Sequence, residues 1–510
     1  MTTPVRGRAL VAALVLAVAP PVGFAQQSPP APPTVEVETP PTHLPDLPEL
    51  TTATPVSLPQ YLPGADALDR LLAPTLIPLP GSEAFDWFAD APVAGTAAGN
   101  PCAVCQPATP PAPSFGGSLC CRPRLFGDMG GLRSRMAERG FNWDIYSTNF
   151  FGDVANGGLQ ESLQYRGRMD YLLNINGEKA GLWKGLFVDL HGETIYGQSI
   201  NKYTGTFSPV SIAELVPIPN GSVTALTGVK ITQALSENFI VYGGKLNLLD
   251  LFNQPFTGGG RGVNGFWNGA MVLPFQFVRQ FPYSTYGFGA AYLKNMEPIL
   301  SFAVLDANNT PTTSGFNSFF ANGAVLFSQM TLPTNFFGLP GHQSILGAWS
   351  SKRYFTTDRT AFLNVLQGAP VSTLSKQGSW GLGYMFDQAL YVSPCDPKRM
   401  WGVFGNLGLA DTNPSPVRWF ANVGVGGSSP LQGRKLDSFG LGWYYLGLND
   451  SFRSLAPARL PLRDEHGLEA YYNIGITPWC HITPDMQFIL PAQQRAESMW
   501  FFGLRAKIDF

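Results

Sequence analysis

From Phe141 to the carboxy terminus, hydrophobic and polar residues alternate with a period of two. Over the last twelve residues, Trp500, Phe502, Leu504, Ala506, Ile508 and Phe510 fall on one face, and Arg505, Lys507 and Asp509 on the other. Leu163 to Asn176 repeats the pattern: Tyr165, Met169, Tyr171, Leu173 and Ile175 oppose Gln164, Arg166, Arg168, Asp170, Asn174 and Asn176. Successive strand side chains point to opposite sides, so each segment has one apolar and one wet face. A soluble sandwich also alternates, but it turns its charged face to bulk solvent and rarely ends on an aromatic residue. A membrane barrel, with lipid outside and water inside, fits better.

Counting such segments predicts strands at 141–155, 160–176, 185–197, 222–234, 238–248, 285–293, 298–306, 316–331, 342–354, 378–392, 400–410, 418–427, 438–448, 467–477, 485–491 and 499–510. The total is about sixteen, an even number as bacterial barrels have. With the carboxy terminus in the periplasm, the turns Ser393 to Arg399, Ser428 to Asp437 and Pro478 to Pro484 fall on that side. The longer connections Phe355 to Gln377 and Asn449 to His466 fall outside. The longest connection, Leu249 to Ser284, joins strands five and six, where a sixteen-stranded porin folds its third loop into the channel. The fold class expected is therefore all-β: an antiparallel transmembrane barrel of about sixteen strands with an inward-folded third loop, wide enough to hold water.

Composition supports this reading. Only 13% of residues are charged, about half the usual globular share, yet 45% are hydrophobic, too few for a helical membrane bundle. Beyond residue 25 no run approaches the roughly 20 apolar residues a spanning helix needs. A net charge of −2 offers no field for phosphates, so no nucleic-acid partner is expected. The first 25 residues read as a signal peptide, with Arg6 and Arg8 before the apolar run Ala9 to Ala19 and small residues near Ala25.

Residues 26–118 contain about twenty prolines, and between 26 and 100 nine acids face Arg70 alone, which leaves +4 for residues 101–510. This segment reads as a Pro-rich, acidic, mostly disordered periplasmic extension, compatible with contact to the cell wall. Residues 119–140 form a short lead into the barrel, which occupies 141–510. Outside the cytoplasm the cysteines point to disulfides. Cys102 or Cys105 should pair with Cys120 or Cys121 across a short loop. Cys395 and Cys480 should stay apart, since their turns lie four strands from one another and four spacings of about 4.8 Å exceed disulfide reach. A zinc ribbon would need a second C-x-x-C, so no metal site is expected, nor is any cofactor.

Two blocks resemble the carbohydrate-selective porin family of bacterial outer membranes, the OprB type. The first is Gly127-Asp128-Met129-Gly130-Gly131-Leu132-Arg133-Ser134-Arg135-Met136-Ala137-Glu138-Arg139-Gly140, where the family carries Trp in place of Met129. The second runs through Trp419 to Gly427, Gly440 to Tyr444, Glu469 to Pro478 and Thr483 to Gln487. The resemblance covers roughly 124–510 and implies a sixteen-stranded outer-membrane porin for passive diffusion of mono- and small oligosaccharides. Its implied partners are small sugars, outer-membrane lipid and the barrel-assembly machinery acting on the last strand; a homotrimer is compatible with it. The other readings are an anion or general diffusion porin, and an envelope-anchoring barrel whose purpose is the tether.

A sugar path asks for charged and amide groups that replace water at hydroxyls, with aromatic faces for the ring. Alternation turns Arg166, Arg168, Asp170, Asp189, His191, Glu193, Lys245, Asn247, Glu469, Asn473, Arg505 and Lys507 inward. The third loop adds Arg261, Asn264, Trp267, Asn268 and Arg279 among glycines. Trp267 is the candidate sugar platform, against plain packing on the wall. Arg166 and Arg168 would donate to vicinal hydroxyls at the constriction while Asp170 and Glu193 accept from them. Asp189, His191 and Glu193 also suggest an enzyme, but residues two apart on a strand stand roughly 7 Å apart and no nucleophile motif accompanies them, so a channel is expected.

Overall fold

The computed structural model describes residues 115–367, 369–394, 396–455 and 461–510. The signal peptide, nearly all of the Pro-rich extension, Cys102, Cys105 and Cys395 lie outside the described residues. The described chain is built of sixteen antiparallel strands: β1 (Phe141–Gly158), β2 (Ser162–Asn176), β3 (Leu186–Gly197), β4 (Val223–Ser236), β5 (Phe239–Asn247), β6 (Ser284–Lys294), β7 (Glu297–Asp306), β8 (Ala324–Phe336), β9 (Leu339–Phe355), β10 (Ser375–Ser393), β11 (Asp396–Ala410), β12 (Val417–Ser428), β13 (Ser438–Leu448), β14 (Glu465–Thr477), β15 (Cys480–Leu490) and β16 (Glu497–Asp509). Each pairs with its neighbours in sequence, and β1 pairs with β16 to close the sheet. Closure removes the unpaired edge that a bilayer cannot satisfy.

The faces are those the alternation predicts. On β16, Trp500, Phe502 and Leu504 are 40–45% exposed, while Phe501, Arg505 and Lys507 are buried inside. Two expected strands are corrected. Residues 316–323 do not extend β8: Phe316–Ser318 is a 3-10 turn, and the strand begins at Ala324. The aromatic run there mimics a strand because Phe316 and Phe319 pack on Tyr286. In turn, β15 begins at Cys480, five residues before the expected start, and includes Pro484 opposite Leu504.

The seam between β1 and β16 is clamped by the lead-in segment. Asp128 accepts from the backbone N–H (2.8 Å) and hydroxyl (2.9 Å) of Ser134, holding the first turns of helix α1 (Leu132–Glu138). From α1, buried Arg133 donates to the carbonyls of Trp143 (3.0 Å) and Phe510 (2.8 Å) and to Asp144 (3.1 Å). Its guanidinium lies 4.0 Å over the Trp143 ring, and Phe126 stacks on Phe510. Gly140, at φ +84, turns the chain into β1 where a Cβ would stand 2.6 Å from the Asn176 carbonyl oxygen. Among the described residues Cys120, Cys121 and Cys480 form no disulfide with one another; the expected pairing with Cys102 or Cys105 lies outside the described residues.

Candidate constriction site

Two connections pack against the inward side chains of the wall. One joins β3 to β4, residues 198–222; the other joins β5 to β6, residues 248–283. Backbone inside a lumen loses water and must find partners, and two glutamates on β14 supply them. Glu469 accepts from the amides of Trp267 (2.5 Å) and Asn268 (3.1 Å) of the second connection. Glu465 accepts from the amides of Phe207 (2.5 Å) and Ser208 (2.9 Å) of the first, and from Ala492 (3.0 Å). The two connections also bind one another, through Ile212 N–H to the Trp267 carbonyl (2.9 Å) and Gly269 N–H to the Pro209 carbonyl (2.9 Å).

Trp267 is wholly buried. Its ring meets Phe150 edge-on at 5.2 Å and Phe501 at 6.0 Å, with Arg505 5.3 Å from its centroid. A Cβ on Gly503 would come 2.7 Å from this ring, so that glycine forms its seat. Arg505 donates to the carbonyls of Gly262 (2.9 Å) and Gly265 (3.1 Å), and Lys507 to Asn264 (2.9 Å). The tryptophan thus packs on the wall and presents no open face to a sugar.

Arg166 and Arg168 have no solvent exposure. Arg166 donates to the carbonyls of Gly197 (3.0 Å) and Ile218 (2.7 Å), pinning the first connection. Arg168 grips Asp170 (2.9 Å) and Glu193 and reaches toward the Ala213 and Val216 carbonyls. His191 bridges Asp170 on one ring nitrogen and Asp250 on the other, each at 2.9 Å. Arg261 pairs with Asp250 and with the Tyr146 hydroxyl, while Tyr283 donates to Glu193. The Asn247 amide nitrogen lies 3.1 Å from the Thr227 hydroxyl and 3.3 Å from His191. Burial alone would raise the Asp250 pKa, but Arg261 and His191 outweigh it and hold the carboxyl well below its ordinary range. With a side chain 28% exposed, Asp250 is the member of this network that faces water.

Asp170, His191 and Glu193 bring donor atoms within 4.8 Å of one another, as a metal site would. Arg168 spans both carboxylates and both imidazole nitrogens are engaged, so this donor set is committed to an ion-pair network joining the wall to the second connection.

The remaining predicted residues separate. Asp189 faces inward, accepting from Asn174 (2.7 Å) and pairing with Lys230 (3.2 Å). Lys245 does not face the lumen: it pairs in register with Tyr286, two residues from lipid-exposed Phe288, and donates to the Thr313 carbonyl (2.8 Å). The β5–β6 register is unbroken from Phe239 to Asn247, so Lys245 keeps the face of Phe239, which is 39% exposed, and alternation itself turns it outward. Arg279 stands apart from the network, 4.9 Å over the Tyr354 ring. Alternation carried no signal for Asp250, Glu214 or Tyr283, which lie in the connections, whereas the parity of Tyr146 on β1, opposite Asp170, was open to it. Glu465, four residues from Glu469 on one strand face, was legible by spacing.

A closed sixteen-stranded barrel with an apolar belt, and with two connections bound to its inner wall, defines an outer-membrane porin. The chain matches the profile of the "Carbohydrate-selective porin, OprB family" over residues 160–510, and it belongs to that family. It is 27% identical over 130 residues to Porin B of Pseudomonas aeruginosa, a match spanning 22% of this chain and 28% of that protein. The structure titled "High pH structure of Pseudomonas putida OprB" superposes with a TM-score of 0.65 at 18% identity, covering 77% of this chain and all of the other. The structure titled "Low pH structure of Pseudomonas putida OprB" gives 0.48 at 15% identity, covering 77% and 99%.

Proposed function

We propose that this chain serves the bacterial outer membrane as a passive channel for mono- and small oligosaccharides, a channel rather than an enzyme. The observation that carries the reading is the pair of connections bound across the inner wall through buried side chains. They narrow a wide barrel into a constriction. Its part-exposed groups include Asp250, Asn253 and Arg279, with half-buried Phe252 and Phe281 on the same connection. Acceptor, amide, donor and aromatic face are the elements that replace a sugar's hydration shell. Arg166, Arg168 and Trp267 support this surface from behind.

Liposome swelling with a graded panel of sugars, amino acids and small oligosaccharides tests the reading. Monosaccharides should enter faster than non-sugar solutes of equal mass, and rates should scale linearly with the gradient. Entry that follows mass alone would identify a general diffusion pore instead.

A further inference from the structure

Basic residues gather at one place on the inner wall, at the end of the barrel where β9 turns into β10. Tyr354, near the end of β9, points inward and is 7% exposed. Arg279, from the inserted β5–β6 connection, lies 4.9 Å over its ring, and the Lys352 ammonium lies 6.0 Å from the same centroid. Lys376 on β10 pairs in register with Tyr354, so its side chain leaves the sheet on that inner face, and it is exposed. Two cations therefore lie by one aromatic ring, and a third leaves the same face of the sheet beside it.

Two neighbouring acids, Asp306 and Asp411, are held by neutral donors and keep their charge, so three cations against two carboxylates leave the cluster a net charge of +1. Asp306 accepts from the Asn308 backbone (2.9 Å) and amide (2.7 Å) and from Phe320 N–H (3.0 Å). Asp411 accepts from the Ser379 hydroxyl (2.9 Å). Among the described residues no carboxylate stands within ion-pairing distance of Lys352 or Lys376; Lys352 donates only to the Ala307 carbonyl (2.8 Å). Two residues beyond Arg279 in sequence, half-buried Phe281 stands 5.3 Å from Phe327 and 5.5 Å from Phe252, in an aromatic cluster at the edge of the same connection.

We propose that Lys352, Lys376 and Arg279 around Tyr354, with Phe281 beside them, form a capture site for anionic monosaccharides, sugars bearing a carboxylate or a phosphate. The site rests on the channel reading and names a substrate class for it. Positive charge at the low-dielectric mouth of a pore raises the local concentration of an anionic solute. The aromatic surface then selects those anions that carry a sugar ring.

The test is a planar bilayer at low salt, reading the solute concentration that halves the chloride current. Glucuronate and glucose 6-phosphate should reach half-block at about tenfold lower concentration than glucose. The advantage should shrink as ionic strength rises. The double variant Lys352→Met/Lys376→Met should abolish it while leaving the glucose value unchanged, and Lys352→Arg should retain it. An advantage that survives the double variant would overturn the site. So would acetate and inorganic phosphate blocking as well as the sugar anions, since that would show a general anion field. Wild-type protein that forms no channel would instead overturn the porin reading, and this site with it.

Discussion

Glu469 and Arg168 show how burial changes what a charged side chain does. A typical hydrogen bond contributes roughly 0.5–1.5 kcal/mol net, and Glu469 holds two amides of the inserted segment. Glu469→Gln should leave the barrel folded but loosen that segment, which single-channel recording would register as larger and noisier conductance. Arg168 compensates Asp170 and Glu193 with no exposure of its own. Removing one partner of a buried pair costs about 3–5 kcal/mol. Arg168→Ala should therefore expose the first connection to faster hydrogen exchange, where a wall-lining arginine would only change selectivity.

Glu214, within the β3–β4 connection, has its pKa pushed up to about 7 by burial, partly opposed by the Ile200 amide and Arg166. Its folded value lies above the ordinary 4.5, so docking of this connection is strongest below that pH. It weakens as pH rises toward 7, by at most about 3 kcal/mol, and levels off above. Hydrogen exchange over 198–222 from pH 4.5 to 8 should show this slope, and Glu214→Gln should flatten it.

At the level of elements, strands and connections obey different rules. Strands were legible because each residue's side follows from its neighbours. The failures were local: aromatic residues at 316–319 alternate without being a strand, and Pro484 reads as a turn although β15 accommodates it. The inserted connections are held by contacts from strands more than 200 residues away in sequence, such as β14 and β16. Replacing 253–279 by a short Gly/Ser linker should keep the barrel and raise conductance severalfold with loss of sugar discrimination, because the wall's hydrogen-bond ladder does not include that segment. The lead-in helix acts on the other end. Arg133→Met removes donors to Trp143, Asp144 and Phe510, and should lower the temperature at which the barrel loses its compact form on unboiled detergent gels. Unchanged heat resistance would show that β1–β16 pairing holds the seam alone.

The whole molecule is a closed ladder, and closure makes its strands mutually dependent. Circular dichroism in detergent should show strand with little helix. Deleting Phe510, whose carbonyl is held by Arg133 and whose ring stacks on Phe126, should reduce the yield of assembled barrel in outer-membrane fractions. The amino-acid sequence by itself determined the strand number, the two faces of the wall and the family, because period-two alternation and glycine-aromatic blocks are local properties of the chain. It also placed Glu469, Arg505 and Lys507 on the inner face, as the structure does. Only the tertiary structure decided which inward charges meet water. Two connections lie across Arg166 and Arg168, bury Trp267 of the second against the wall, and leave Asp250, Arg279 and Lys352 at their margins. Solvent access in a lumen depends on what lies across it, and that is set by contacts between residues far apart in sequence, which alternation along a single strand does not encode.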